Sequence, residues 1–508
     1  MGAIDRLRSV FLKGGIPVCS VKRLRDENKL IRFLVDFQKT PWYPALFAAL
    51  CILSGTNTYK VYIPVLCILA LFVLFSAFFA DDNKVFLTPL LMMFFGLGTD
   101  VPGYAYLQNK GDMAASFDKK AFPIFIAIYV ISVVTLLIRL IADGSVKAVF
   151  KRKRMLTVGI LAMDAAFVLN GLFGAAPSFT NLAHGALMAL CFTAVYFLAS
   201  GMLESSKEVP KYACYVMTGT AYIAFLQILT VTIRAMVHGK FFIELADGTT
   251  QINRPILVLS WGVTTVVAAV FVLGIPAVMY LAKTCRCSWF SFVSAILFIL
   301  GAFLINTRSA VLVGGIVFFV CCILCCTNGK NAVKNRIYTL IVFVLCAIAG
   351  TAALCILFSV EGLIQKFLSV FRFGIKDIDS GRFKLWSNGW NDFLSSPIFG
   401  IGFEDGGYTP DVKYKNIFSN MYHCIFVEII GAMGIVGALA FALHLLSLGW
   451  LTVKKFSIDK LLILLMPFTV ILLSFLDNFF FYPHFQIFYG VFLAVAEKMI
   501  YEKDDKPE

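Results

Sequence analysis

Apolar runs of about 20 residues recur along the chain, separated by short polar and basic breaks. They occupy residues 43–56, 61–80, 85–98, 121–141, 156–175, 182–202, 212–237, 256–283, 288–305, 309–326, 337–360, 421–450, 461–478 and 486–500. Apolar positions are continuous within each run, so the pattern predicts helices and not the alternating strands of a transmembrane barrel. The first and third runs are short, which suits tilted or re-entrant segments. The expected fold is all-α: a polytopic transmembrane helical bundle of about 14 spans with one large external loop containing an amphipathic helix.

The longest polar interruption is 361–420. Inside it, Phe383, Trp386, Trp390, Phe393 and Leu394 recur at helical spacing, which predicts an amphipathic helix over 381–396 lying along the membrane surface. Pro397 and the glycines at 400, 402, 406 and 407 are expected to end that helix and form a loop. Gly431, Gly434 and Gly437 in the following run suit close helix packing. No internal duplication is visible, and the large loop has no counterpart in the first half. This lopsided plan fits an enzyme with one working face better than a carrier built from paired repeats.

Composition narrows the class. Hydrophobic residues make up 60% of the chain and charged residues 15%, which excludes a string of soluble domains. The formal net charge of +14 is dispersed over the short loops, so it argues against a nucleic-acid partner. Lys147 with Lys151–Arg154, Lys207 and Lys211, Lys283 and Arg286, Lys330 with Lys334 and Arg336, and Lys454, Lys455 and Lys460 all fall on one side if the N-terminus is cytoplasmic. The expected organisation is a basic cytoplasmic N-terminal arm (1–42) near anionic lipid headgroups, transmembrane helices 1–11 (43–360), a large extracytoplasmic loop (361–420), helices 12–14 (421–500) and a cytoplasmic tail (501–508). The arm shows no signal-peptide pattern. The expected location is the cytoplasmic (inner) membrane, multi-pass, with both termini cytoplasmic and the active site extracytoplasmic.

Most of the 14 cysteines lie inside apolar runs. Cys321, Cys322, Cys325 and Cys326 read as small apolar fillers of a helix, with reversible acylation as the alternative. No disulfide framework and no metal site are expected, because zinc ligands converge from turns or separate elements.

Three external positions carry candidate chemistry. Arg308, in Asn306-Thr307-Arg308-Ser309, sits at the outer junction of two apolar runs, where a charge is costly unless paired or hydrated. It reads either as a turn arginine reaching lipid phosphate or as an anion ligand facing an aqueous cavity. Arg382 opens the surface helix, and a guanidinium fork holds two phosphate oxygens at once. His423 stands where the loop re-enters the bilayer, with an unperturbed pKa suited to proton transfer. Arg372, Trp386, Glu428 and Arg234 are further substrate-binding candidates. Arg254, Asp477, Asn478, His484 and Asp164 are read as cavity-lining groups or interhelical tethers. No Asp-x-Asp motif in convincing context supports a divalent metal, and no cofactor is expected.

In this order, Thr307-Arg308-Ser309, Gly381-Arg382 with Trp386, Ser396-Pro397-Ile398-Phe399-Gly400-Ile401-Gly402-Phe403, and His423 with Glu428 resemble the O-antigen ligase and O-antigen polymerase superfamily. The resemblance covers about residues 290–440. It implies a metal-independent membrane glycosyltransferase of surface polysaccharide assembly (O-antigen, capsule or exopolysaccharide). The implied donor is an undecaprenyl-pyrophosphate-linked glycan. The acceptor is a lipid-linked repeat unit for a polymerase or lipid A–core for a ligase. Polymerase is favoured because its acceptor requirement is more general. Membrane lipids and a chain-length regulator are the remaining partners. It also implies His423 as base and Arg308 with Arg382 as pyrophosphate ligands. Cys424 departs from the Asn or Ser common after the histidine. The rival readings are a lipid-linked oligosaccharide flippase or exporter, which calls for two related halves, and a peptidoglycan-type glycosyltransferase, which calls for an acidic residue on its loop.

Overall fold

The computed structural model describes residues 18–54, 59–96, 122–142, 154–175, 177–203, 205–244, 250–259, 261–327, 329–370, 381–403 and 422–501. Among them the chain is an all-helical bundle with one short hairpin. The N-terminal part forms α1 (Val18–Glu27), α2 (Lys29–Gln38), α3 (Trp42–Ser54), α4 (Tyr59–Phe79), α5 (Leu87–Gly96), α6 (Phe122–Ala142), α7 (Thr157–Phe173), α8 (Phe179–Met202) and α9 (Glu208–Val237). Strands β1 (Phe242–Glu244) and β2 (Thr250–Ile252) pair antiparallel. Then come α10 (Thr264–Thr284), α11 (Ser288–Leu304), α12 (Arg308–Cys325), α13 (Ala332–Ser359), α14 (Leu363–Val370), α15 (Arg382–Ser395), α16 (Ile425–Val453), α17 (Ile458–Ser474) and α18 (Pro483–Lys498).

Each apolar run carries a helix. Six of them, α8, α9, α10, α12, α13 and α16, are long and apolar enough to cross a membrane. Helices α3, α4, α6, α7 and α11 have shorter apolar stretches. The run expected from 256 departs furthest from its expected start. The apolar residues from 256 do not open a span. They continue from the hairpin as a short 3₁₀ turn at Arg254–Leu257, and the helix begins at Thr264. Pro255 favours such a turn, and Arg254 donates to Thr264 Oγ1 at 2.7 Å, folding the segment back on the helix start.

The centre of the bundle is α10, buried on all sides by α9, α11, α12 and α17. Contacts along it define two ends. At its C-terminal end, Lys283 pairs with Asp459 of α17 at 2.9 Å, Cys325 of α12 reaches the Met279 carbonyl at 3.1 Å, and Tyr215 of α9 meets Cys285 at 3.2 Å. Helix directions then put the starts of α10 and α12, and the ends of α9 and α17, at the opposite end. Gln227 of α9 accepts there from Trp261 at 2.9 Å, and Phe95 of α5 packs edge-on against both Trp261 and His484. Cys321, Cys322 and Cys325 fill buried positions of α12, as fillers should.

The surface helix agrees with its expected bounds to within a residue: α15 spans Arg382–Ser395 against an expected 381–396. The segment after α15 is not a free loop. Gly434 takes φ 61° and ψ −154°, breaking α16. Residues 397–402 run along the break and satisfy it. Ile435 N donates to Pro397 O at 2.8 Å and Val436 N to Ile398 O at 3.1 Å, while Ile401 N and Gly402 N donate to Gly431 O and Ala432 O at 3.0 Å each. Backbone inside a bundle must find such partners, since nothing else there can supply them. Gly434 is thus a hinge point of the backbone and not only a packing residue. Gly400, at φ 73°, lies so close to α16 that a Cβ would run into the Ala432 carbonyl.

Candidate active site

The site forms where the broken helix begins. His423 and Cys424 precede α16, and His423 holds a left-handed backbone (φ 53°). Histidine tolerates this region better than most non-glycine residues, but at a cost of about 1 kcal/mol or more unless its surroundings dictate it. Two bonds dictate it here. Tyr422 N donates to Glu428 Oε2 at 3.0 Å, and His423 Nδ1 meets Asp477 Oδ1 at 2.9 Å.

Asp477 lies just past the end of α17. Its Oδ1 also accepts from Asn478 N at 2.8 Å, and Asn478 Nδ2 donates to Glu428 Oε2 at 2.7 Å. Glu428, Asp477 and Asn478 are buried, whereas the His423 side chain is 42% exposed. On the other flank, Tyr422 Oη donates to Asp392 Oδ2 of α15 at 2.6 Å. The Tyr422 ring fits between two glycines: a Cβ at Gly389 would stand 2.9 Å from it and one at Gly431 2.8 Å. One connected set of bonds therefore ties α15, the start of α16 and the end of α17 around a single imidazole.

That set of bonds governs the electrostatics. The hydrogen bond to Asp477 is the largest influence on His423 and raises its pKa. Burial opposes it, the Asp477 charge adds to it, the Arg382 guanidinium lowers it and Glu428 raises it. The Arg382 charge is thus felt at His423. Burial first, and then the Glu428 and Asp392 carboxylates, push the Tyr422 phenol far up, so it stays a donor.

Arg308 is the first residue of α12, half-buried, after a turn in which Asn306 takes φ 53°. It shares the His423 end of the bundle, as does Arg234 in the last turn of α9, also half-buried. Trp386 is half-buried one turn beyond Arg382, with its ring edge-on to Phe383 at 5.3 Å. Glu428, expected among substrate ligands, has its contacts with protein groups. Arg372 lies outside the described residues. Among the weaker candidates, Asp477 and Asn478 join the site directly. Asp164 lies elsewhere in the bundle, on α7, where it accepts from Thr193.

Residues 293–442 match the family model described as O-antigen ligase. Over these residues the chain is similar to the O-antigen ligase and polymerase superfamily. No curated protein matches the chain. The O-antigen ligase segment holds Arg308, Arg382, Trp386, His423 and Glu428. Asp477, Asn478 and Arg234 lie outside it, so Asp477, the hydrogen-bond partner of His423, comes from beyond the matched segment. In sequence, Asp477-Asn478 is visible as a costly charge closing an apolar run. Nothing in sequence joins it to a histidine 54 positions earlier. Tyr422 and Asp392 carry no local signal at all.

That family is one of glycosyltransferase-type membrane enzymes acting on lipid-linked glycans.

Proposed function

We propose that this protein transfers a glycan from undecaprenyl pyrophosphate to an acceptor sugar hydroxyl at the outer face of the cytoplasmic membrane, as a polymerase in preference to a ligase. The observation that carries the reading is the His423–Asp477 pair with the Arg382 charge beside it, inside the O-antigen ligase segment.

Asp477 accepts from Nδ1–H of the neutral ring, which makes Nε2 the basic nitrogen. Nε2 takes the proton of the acceptor hydroxyl as its oxygen bonds to the anomeric carbon. The bond from that carbon to the phosphate oxygen breaks, and the electron pair leaves with undecaprenyl pyrophosphate. Charge grows on the leaving group, where Arg382 and Arg308 stabilise it in place of a metal ion. Asp477 stabilises the imidazolium formed, and Trp386 offers an apolar face to a sugar ring. Orientation rests on charge. Lys283, Lys454, Lys455 and Lys460 gather at the end of the bundle away from His423, which suits a cytoplasmic face. In that orientation 1–42 is the cytoplasmic arm and 361–420 the extracytoplasmic loop.

The test is reconstitution of the full chain in liposomes containing undecaprenyl-pyrophosphate-linked glycan. Wild type is expected to lengthen the lipid-linked glycan, and His423→Ala to stop it. Undiminished lengthening by His423→Ala removes the histidine from the mechanism. Transfer to lipid A–core alone replaces the polymerase by a ligase.

A further inference from the structure

The helix that carries Arg382 and Trp386 crosses α16 at a pair of glycines. Gly389 of α15 and Gly431 of α16 face each other there. A Cβ added at Gly431 would stand 3.2 Å from the Gly389 carbonyl oxygen, and one at Gly389 would run into Val427. Arg382, Trp386 and Gly389 recur at i, i+4 and i+7, so they share the face of α15 that turns toward α16. Burial agrees: Gly389 is buried and the other two half-buried, while Phe383, Lys384, Ser387 and Trp390 are exposed. Two glycines let backbones approach closely, but with no side chain of their own they fix the tilt of α15 weakly.

The side chain that fills the crossing is Tyr422, which is only 2% exposed. Its ring is wedged between the two glycines, and the residue is bonded at both ends. Its main-chain N donates to Glu428 Oε2 at 3.0 Å, and the same oxygen accepts from Asn478 Nδ2 at 2.7 Å. Its Oη donates to Asp392 Oδ2 at 2.6 Å. One end of Tyr422 is thus anchored among the groups around His423, the next residue in the chain, and the other on α15. Asp392 lies past the crossing and Arg382 before it, about 4.5 Å and 10 Å along the helix from Gly389 at 1.5 Å per residue. With α15 rigid, a shift at Asp392 becomes about twice as large at Arg382.

We infer that Tyr422, through its hydrogen bond to Asp392, is a positioning residue for the pyrophosphate of the donor: it sets the tilt of α15 and so the reach of Arg382 toward the place where His423 acts. This role rests on the glycan transfer proposed above. Electrostatics supports it. Asp477 past α17 and Glu428 of α16 raise the His423 pKa, and Arg382 of α15 lowers it, so the charge that α15 carries is felt at the imidazole.

The experiment measures binding of undecaprenyl pyrophosphate to the full-length protein in nanodiscs, and transfer by the same samples, for Tyr422→Phe, Asp392→Leu and Asp392→Asn. Phenylalanine keeps the ring in the crossing and the main-chain bond, and loses only the hydroxyl. Leucine removes the acceptor from the α15 side, whereas asparagine keeps a carbonyl oxygen that accepts. Tyr422→Phe and Asp392→Leu are expected to weaken binding by about fivefold, the factor that one ordinary hydrogen bond carries, and Asp392→Asn to stay within about twofold of wild type. KM for the donor should rise by the same factor, with KM for the acceptor unchanged. The acid limb of transfer should move to higher pH, because a displaced Arg382 no longer holds the His423 pKa down. A purely structural Tyr422 would lower the folded fraction and leave affinity, KM and the acid limb in place, and that result overturns the inference. So does an Asp392→Asn variant that binds as weakly as Asp392→Leu. Wild type that neither binds undecaprenyl pyrophosphate nor transfers removes the proposed donor and this inference with it. Wild-type binding and transfer that Tyr422→Phe leaves untouched remove this inference alone.

Discussion

The two ends of the bundle use buried polar groups in opposite ways. At the basic end, side chains close off main-chain carbonyls. The buried Lys460 ammonium donates to Leu451 O at 2.9 Å, to Lys455 O at 3.1 Å and to Lys454 O, sealing the C-terminus of α16. Asn335 does the same for Ala282 O and Cys325 O, each at 3.3 Å. At the other end, three bonds join side chains to each other and two run from main-chain N–H groups to carboxylates. Asp392, Tyr422, Glu428, Asn478 and Asp477 form a run of bonds that finishes on a half-exposed imidazole. Polar groups that saturate backbone make a seal. Polar groups that link several helices and leave one member open to solvent make a candidate site.

The sharpest way to break this comparison is His423→Ala. Loss of a general base is expected to cut transfer by about 10³-fold with the protein still folded in detergent. A variant that unfolds instead would make His423 a structural residue like Lys460. Next in size is Gly400→Ala. Its Cβ would meet the Ala432 carbonyl in a left-handed backbone, and about 3 kcal/mol of stability should go, read as a lower melting temperature. An unshifted melt would mean that the 397–402 segment does not hold the broken helix.

Asp477→Asn separates orientation from fold. Transfer should fall by about 10-fold to 100-fold at neutral pH, with the protein still folded. The pH profile carries the sign. A base works when neutral, so transfer should fall as pH drops through the raised His423 pKa. Removing the Asp477 charge should move that acid limb to lower pH. The stability contribution runs the other way. A histidine whose folded pKa is raised stabilises the fold below its ordinary value of about 6.5, and this is lost as pH rises through the folded value. An acid limb that stays in place in Asp477→Asn would detach it from His423.

The smallest effect is expected at the sealed end. Lys460→Met leaves helix carbonyls unsatisfied and should cost about 1–3 kcal/mol of stability, with transfer per folded molecule unchanged. A specific loss of transfer there would mean the two ends are coupled.

Much of the fold was readable along the chain. Each apolar run became a helix because transfer of apolar side chains out of water is local and roughly additive. The surface helix at Arg382–Ser395 was visible because its aromatic positions recur every three or four residues. The run from 256 misled, since Ile256 and Leu257 bury as fully in a turn as in a helix. Hydropathy reports what is buried and not the backbone that buries it. Arg308, Arg382 and His423 stood out because charge at a membrane boundary is costly.

Sequence alone thus determined the class, the helices and three of the polar positions, all properties of neighbouring residues. Tertiary structure alone decided that Asp477 orients His423, that Tyr422 links Asp392 to the site, and that residues 397–402 complete a helix broken at Gly434. Each of those depends on a hydrogen-bond partner many residues distant. A buried polar group must find a partner, but which one it finds is set by how the helices pack.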